Sequence, residues 1–207
     1  MSTWQPNASR ELLEARADLL NTVRNFFLDR SVLEVETPLL VSSSITDPNI
    51  EIFETGVEKK KYLQTSPEYA MKRLLCAGSG PIFQIAKAFR AHEVGRYHNP
   101  EFSILEWYRP GYDYHKLMLE VFELIQVCLA RSKYKKISYR DIFYKFLSID
   151  PFTANKEEIS KPPIGGIIPL KMFKYGSVMD VKADNIPLLQ SIPGNHVNNI
   201  LIINMNE

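Results

Sequence analysis

Two runs of alternating side chains, Phe83 to Phe89 and Phe102 to Arg109, most restrict what this chain can fold into. In the first, Phe83, Ile85, Lys87 and Phe89 fall on one side of a period-two pattern, with Gln84, Ala86, Ala88 and Arg90 on the other. In the second, Phe102, Ile104, Glu106 and Tyr108 alternate with Ser103, Leu105, Trp107 and Arg109. Such runs predict paired strands. The segment between them, Ala91 to Pro100, carries His92, Glu93, Arg96, His98 and Asn99 and is longer than a minimal turn requires. Small residues and an arginine on one strand face, beside an aromatic ring, a carboxylate and a phenol on the other, suit a nucleotide base together with a cationic group. The charged loop reads as a phosphate grip.

The 207 residues fit one substantial domain, and 45% hydrophobic with 11% aromatic content is enough for a packed core. A net charge of +1 leaves no electrostatic footprint for general nucleic-acid binding. Cys76 and Cys128 lie in apolar helical patterns without metal-ligand spacing, which predicts buried thiols in a reducing compartment rather than a disulfide or zinc site. No apolar run approaches the roughly 20 residues of a membrane span, and the polar start lacks a signal-peptide core. A cytoplasmic protein is expected.

Ala8 to Asp29 predicts an amphipathic helix with Ser9 as its cap, leading into Val32 to Thr37, a strand that stops at Pro38. Val41 to Glu54 reads as a turn-rich connection between strands, and Gly56 to Lys61 as a solvated tip. Ser66 is predicted to cap a helix over Pro67 to Ala77, with Pro67 in its first position, Glu68 complementing its dipole, Met71, Leu74 and Leu75 buried and Gly78 ending it. Asp113 to Ser132 reads as a core helix without chemistry of its own, capped by Asp113, and Ile137 to Leu147 as the start of a smaller helical insertion.

Several of these segments carry a resemblance. Phe89-Arg90, Arg96, His98-Asn99-Pro100-Glu101-Phe102 and Leu105-Glu106 resemble motif 2 of the class II aminoacyl-tRNA synthetases, in their lysyl branch. The ending Glu106-Trp107-Tyr108-Arg109-Pro110 is closer still to the lysyl-tRNA synthetase paralogues that attach β-lysine to elongation factor P. Phe27 to Pro38 resembles motif 1, which in that family forms the dimer interface. Thr65-Ser66-Pro67-Glu68, followed by Lys72-Arg73-Leu74, resembles the segment that binds the substrate amino group. The resemblance implies an α+β fold, a class II catalytic core over residues 1–157 built on an antiparallel sheet flanked by helices, followed by a divergent tail, 158–207, of unassigned fold.

It also implies roles. ATP and Mg2+ would be the cofactors, with Arg90 on the α-phosphate and incoming carboxylate, Phe102 stacked on adenine, His98 and Arg96 on the outer phosphates, and Asn99 placing the loop. Ser66, Pro67, Glu68, Glu106 and Tyr108 would receive lysine or β-lysine. Synthetases usually carry Arg-x-Glu where this chain has Arg90-Ala91-His92-Glu93. Either His92 or Glu93 would then read the adenine amino group, with Glu93 preferred. No segment resembles motif 3 or the acidic strand that holds magnesium, and Gly165-Gly166 has no suitably placed arginine. The tail therefore has the look of a truncation or a shifted reading frame.

The implied reaction is adenylate formation followed by transfer to a lysine side chain of elongation factor P, in a homodimer. Only a short segment precedes motif 1, without room for an anticodon-binding barrel, so tRNA is not the expected acceptor. A non-catalytic remnant serving as a dimerisation or binding module, and a lysine-tRNA ligase, are the alternatives.

Overall fold

The computed structural model describes Trp4, Pro6 and residues 8–56, 59–95, 98–129, 136–155 and 200–204. Arg96 and most of the tail after 158, Gly165-Gly166 included, lie outside the described residues. The chain divides into two units: one holds residues 1–131 and 186–207, the other residues 132–185.

The first unit begins with α1 (Arg10–Leu28), capped as the sequence predicts, with the Ser9 hydroxyl accepting from the Leu12 amide at 3.3 Å. β1 (Leu33–Glu34) follows, then β2 (Leu40–Val41), β3 (Glu54–Thr55), β4 (Lys61–Leu63) and α2 (Glu68–Cys76). The ribbon predicted from the alternation is β5 (Ile82–Phe89) paired antiparallel with β6 (Glu101–Tyr108), in a register that sets Gln84 opposite Glu106 and Ala88 opposite Phe102. α3 (Tyr114–Leu129) and β7 (Ile200–Asn204) complete the unit.

Sheet order is β1-β5-β6-β7, with β1 joining β5 and β7 joining β6 in parallel, so the expected antiparallel sheet is mixed at both edges. A second, antiparallel sheet runs β2-β4-β3. The β7 pairing also gives part of the unassigned tail a place in the fold.

The two faces of the ribbon have different fates. Phe83, Leu105 and Trp107 meet Val23, Phe26 and Phe27 of α1 and Leu117 and Leu124 of α3 in the main core. Phe27 stacks on Phe83 at 4.6 Å between centroids and tilts against Trp107 at 5.4 Å. The opposite face holds Ala86, Ala88, Phe102 and Ile104, then Ile82 and Tyr108 packed with Met71 of α2.

Two local expectations are corrected, and one residue is added. α2 starts at Glu68, with Pro67 as boundary residue at φ −77°, ψ 1° and no side-chain cap, so Ser66 stands one position too early to cap it. Cys76 is exposed rather than buried: five residues after buried Met71, it faces about 140° around the helix from it. α3 carries a buried carboxylate, Glu120, on the same face as Leu117 and Leu124. Cys128 is half-buried, and burial pushes its thiol up to about 11; both thiols are free.

Gly56 closes the tip between β3 and β4 at φ +111°, and a Cβ there would collide with the Lys59 carbonyl oxygen. Gly56→Ala should therefore destabilise the chain by about 1–3 kcal/mol, measurable by urea titration. An unchanged midpoint would show that the tip rearranges freely.

In the second unit, α4 (Tyr139–Leu147) is capped by Ser138, whose hydroxyl accepts from the Asp141 amide at 3.0 Å, and it packs Ile142 and Phe143 against Ile137 and Tyr139.

Candidate active site along the central ribbon

The segment after β4 is lashed to the end of β5 by one side-chain and one main-chain bond of Gln64, and a second main-chain bond ties it to Leu39. Gln64 donates its amide N–H to the Leu39 carbonyl (2.9 Å) and its side-chain Nε2 to the Lys87 carbonyl (2.8 Å), while its own carbonyl accepts from Phe89 (2.9 Å). Thr65, Ser66, Pro67 and Glu68 are thereby held beside Arg90, whose Nε reaches the Thr65 carbonyl at 3.4 Å. Beyond β5 the Arg90 amide still pairs with Pro100, and the Ala91 amide with Glu51. Thr65 to Glu68 and the arginine, far apart in sequence, are adjacent because of these bonds.

Ser66 and Glu68 line a small cavity of about 50 Å³, with Ser43, Ser44, Ile45 and Thr65 among the other walls. Glu68 forms an ion pair with Lys72 one turn along α2, at 3.3 Å. Thr37, at the end of the motif 1 segment, donates its hydroxyl to Gln84 Oε1 at 3.0 Å, tying that segment to the middle of β5.

Phe102, Glu106 and Tyr108 share one face as predicted, but that face is not open. They are 5%, 0% and 3% exposed. The Arg90 guanidinium stands over the Phe102 ring at 5.0 Å, and the Tyr108 hydroxyl donates to Glu106 Oε1 at 2.5 Å. Period-two alternation identifies the side a residue faces; it carries no information about what packs over that side.

Glu106 Oε2 is buried without a hydrogen-bond partner among the described residues. Burial pushes this carboxyl up to about 7, with nearby Glu68 adding to the rise, and Tyr108, Lys72 and Arg90 opposing it. Burial also lowers the Arg90 guanidinium from its ordinary value, against the attraction of Glu93, Asp47 and Glu106.

The loop residues separate. Glu93 turns back to Arg90, with oxygen and nitrogen 3.8 Å apart, and its side chain is 20% exposed. His92 adopts φ +60° and points to Glu51 at 3.3 Å, with its side chain 82% exposed. His98 is exposed at the loop tip, where it pairs main chain to main chain with Gly95, and Asn99 is half-buried. Of the two alternatives for the adenine-reading position, only Glu93 sits against Arg90.

Glu120 escaped the sequence reading. It takes the Trp107 indole N–H on Oε2 at 3.0 Å and faces Arg109 Nε through Oε1 at 3.2 Å, close enough for an ion pair though not aligned as a hydrogen bond. Burial raises its carboxyl, opposed by Arg109 and Trp107. The signal was an acidic residue three after Leu117 and four before Leu124, on the apolar stripe of a helix.

The profile of the tRNA synthetases of class II (D, K and N) matches residues 2–175. The chain belongs to that family. This class II synthetase chain is also 45% identical over 196 residues to an elongation factor P-(R)-beta-lysine ligase of Hamiltonella defensa, and 48% identical over 196 residues to that of Salmonella arizonae. Each of these alignments covers 91% of this chain and 58% of the relative. The ligase of Edwardsiella ictaluri is 48% identical over 166 residues, 77% of this chain and 51% of its own length. The class II chain thus spans little more than half of the curated relatives it matches. The family match runs past residue 158, where the motif resemblance stops.

Among the described residues, no three His, Cys, Asp or Glu side chains converge on a metal position, and no helix is long and apolar enough to cross a membrane.

Proposed function

We propose that this chain carries the amino-acid-activating half of a ligase that joins lysine or β-lysine to a lysine side chain of elongation factor P. The observation that carries the reading is Glu106, a wholly buried carboxylate with one satisfied and one unsatisfied oxygen on the strand that also bears Tyr108. A buried anion lacking half its partners favours a ligand that brings N–H donors and positive charge. Glu68, beside the small cavity, provides a second carboxylate, and two carboxylates match the two ammonium groups of a diamino acid. The names of the relatives support the substrate and acceptor.

The nucleotide end fits less completely. Arg90 spends its donors on two long contacts, to Thr65 and Glu93, and so keeps capacity for the oxygens of a carboxylate or α-phosphate. ATP would supply the adenylyl group that activates the carboxylate, with pyrophosphate as the leaving group. Glu93 is the acid placed to read the base, His98 and Asn99 stay with the loop, and His92 is turned to Glu51. For a purine to lie on Phe102, the Arg90 guanidinium gives up that ring face. Mg2+ would travel with the phosphates; none of the residues above is assigned to it.

The amino acid is held by Ser66, Pro67, Glu68, Glu106 and Tyr108, and its carboxylate is turned toward Arg90, so that the chain's contribution is orientation and charge placement. A homodimer through α1 and β1 belongs to the proposal, supported by Leu28 and Leu33, 56% and 58% exposed there. A cytoplasmic setting and a protein acceptor rather than tRNA complete it, the latter supported by the near-neutral charge.

Lysine- or β-lysine-dependent exchange of pyrophosphate into ATP tests the reading. Arg90→Ala should cut exchange about 100-fold, the usual loss for one transition-state donor. The buried Phe102 face favours a second reading, a non-catalytic dimerisation or binding module. A folded chain with no exchange for either amino acid would establish it in place of the first.

A further inference from the structure

Glu106 sets a problem that the ligand-free chain must solve by itself. An ionised carboxylate offers about four acceptor sites, yet among the described residues one hydroxyl bond is all that meets it. Its neighbours do not supply the missing charge. On α2, Lys72 stands 3.3 Å from Glu68, which adds repulsion of its own. Past the end of β5, Arg90 stands 3.8 Å from Glu93. Across the ladder, Gln84 is uncharged and accepts the Thr37 hydroxyl, and the β7 partner is Ile203. Tyr108, on the same strand, gives a neutral donor. Among the described residues each nearby cation has an acid of its own, and Glu106 forms no ion pair.

Resting on the diamino-acid reading above, we propose that Glu106 holds a proton in the ligand-free chain and releases it to solvent when a substrate ammonium docks on its unpaired oxygen. The exchange balances simply. The carboxyl loses H+ to water, the ammonium keeps its protons and donates one N–H to Oε2, and no bond to carbon changes. The buried site holds a neutral acid before binding and a neutral ion pair after it, and never an isolated charge. Specificity follows from the same account: a ligand without a cation at that position cannot offset the loss of the proton.

The midpoint near 7 places this exchange in the neutral range. Below it, affinity for the amino acid should rise about tenfold per pH unit, and above it level off, because the ligand's own ammonium groups titrate much higher. At pH 7 binding should release about half a proton, and more at lower pH.

The test uses the full chain with carbon-13-labelled glutamate, followed by NMR from about pH 5 to 9. Glu106→Gln assigns the resonance. Should that variant not fold, Tyr108→Phe assigns it instead by moving the same midpoint upward, since it removes a bond that favours the ionised form. The expected result is a ligand-free midpoint near 7 that falls into the ordinary carboxylate range on saturation with lysine or β-lysine, with calorimetry in buffers of different ionisation enthalpy recording the released proton. A ligand-free midpoint already in the ordinary range overturns the proposal. So does saturable binding that leaves the midpoint unmoved, which spares the amino-acid reading. A midpoint near 7 with no response anywhere in the spectrum to either amino acid overturns both.

Discussion

Phe27→Ala is expected to lower stability by about 3–5 kcal/mol, the range for removing a fully buried aromatic ring. Phe27 is 0% exposed and joins three elements at once: it stacks on Phe83 of β5, tilts against Trp107 of β6 and stands edge-on to Phe26 within α1. Truncation leaves a cavity that cannot collapse without moving a helix and two central strands. Urea denaturation followed by circular dichroism measures the effect. A loss under about 1 kcal/mol would mean that the helix re-seats itself on the ribbon, and that the stack is not what fixes it there.

Glu120→Ala is expected to cost about as much, 3–5 kcal/mol, by a different route. It strips the counter-charge from Arg109, whose side chain is 8% exposed, and leaves the buried Trp107 indole N–H without its acceptor. Among the described residues Arg109 keeps the Tyr112 hydroxyl at 2.6 Å, the face of that ring at 4.5 Å and a long contact to the Arg30 carbonyl, none of which carries a full negative charge. Glu120→Gln retains an acceptor for the indole and should cost less than Glu120→Ala. Equal losses in the two variants would assign the whole effect to the Arg109 charge. Denaturation of both variants beside Arg109→Met, which removes the buried charge itself, separates these contributions.

What the sequence discloses here follows from the kind of signal each feature leaves. The β5–β6 ribbon is legible because eight-residue alternation fixes both faces, and the register then follows from the loop. α1 is legible from Ser9 and the spacing of Val23, Phe26 and Phe27. The parallel pairing of β7 is not, because Ile200 to Ile203 is a short unbroken apolar run with the same appearance in a strand or a buried helix. The site divides in the same way. Thr65 to Glu68 and Arg90 were singled out separately, and the bonds of Gln64 bring them together. That Phe102 lies under Arg90, and that Glu106 is sealed, depends on packing over the face, which no periodicity records. Glu120 is not legible from the apolar positions of its helix, because their spacing does not say which polar residue shares the buried face.

Gln64 has a mechanical consequence. Its side chain and its carbonyl both grip the end of β5, at Lys87 and Phe89, while its amide grips Leu39 behind, so the start of α2 and the root of the charged loop cannot be displaced separately. A ligand that pulls Glu68 inward would also tug on Arg90, so a load on one grip is felt at the other without any domain closing. Enzymes that must align two reactants usually gain from such a rigid yoke, since the distance between their grips is then set during folding and not at each encounter.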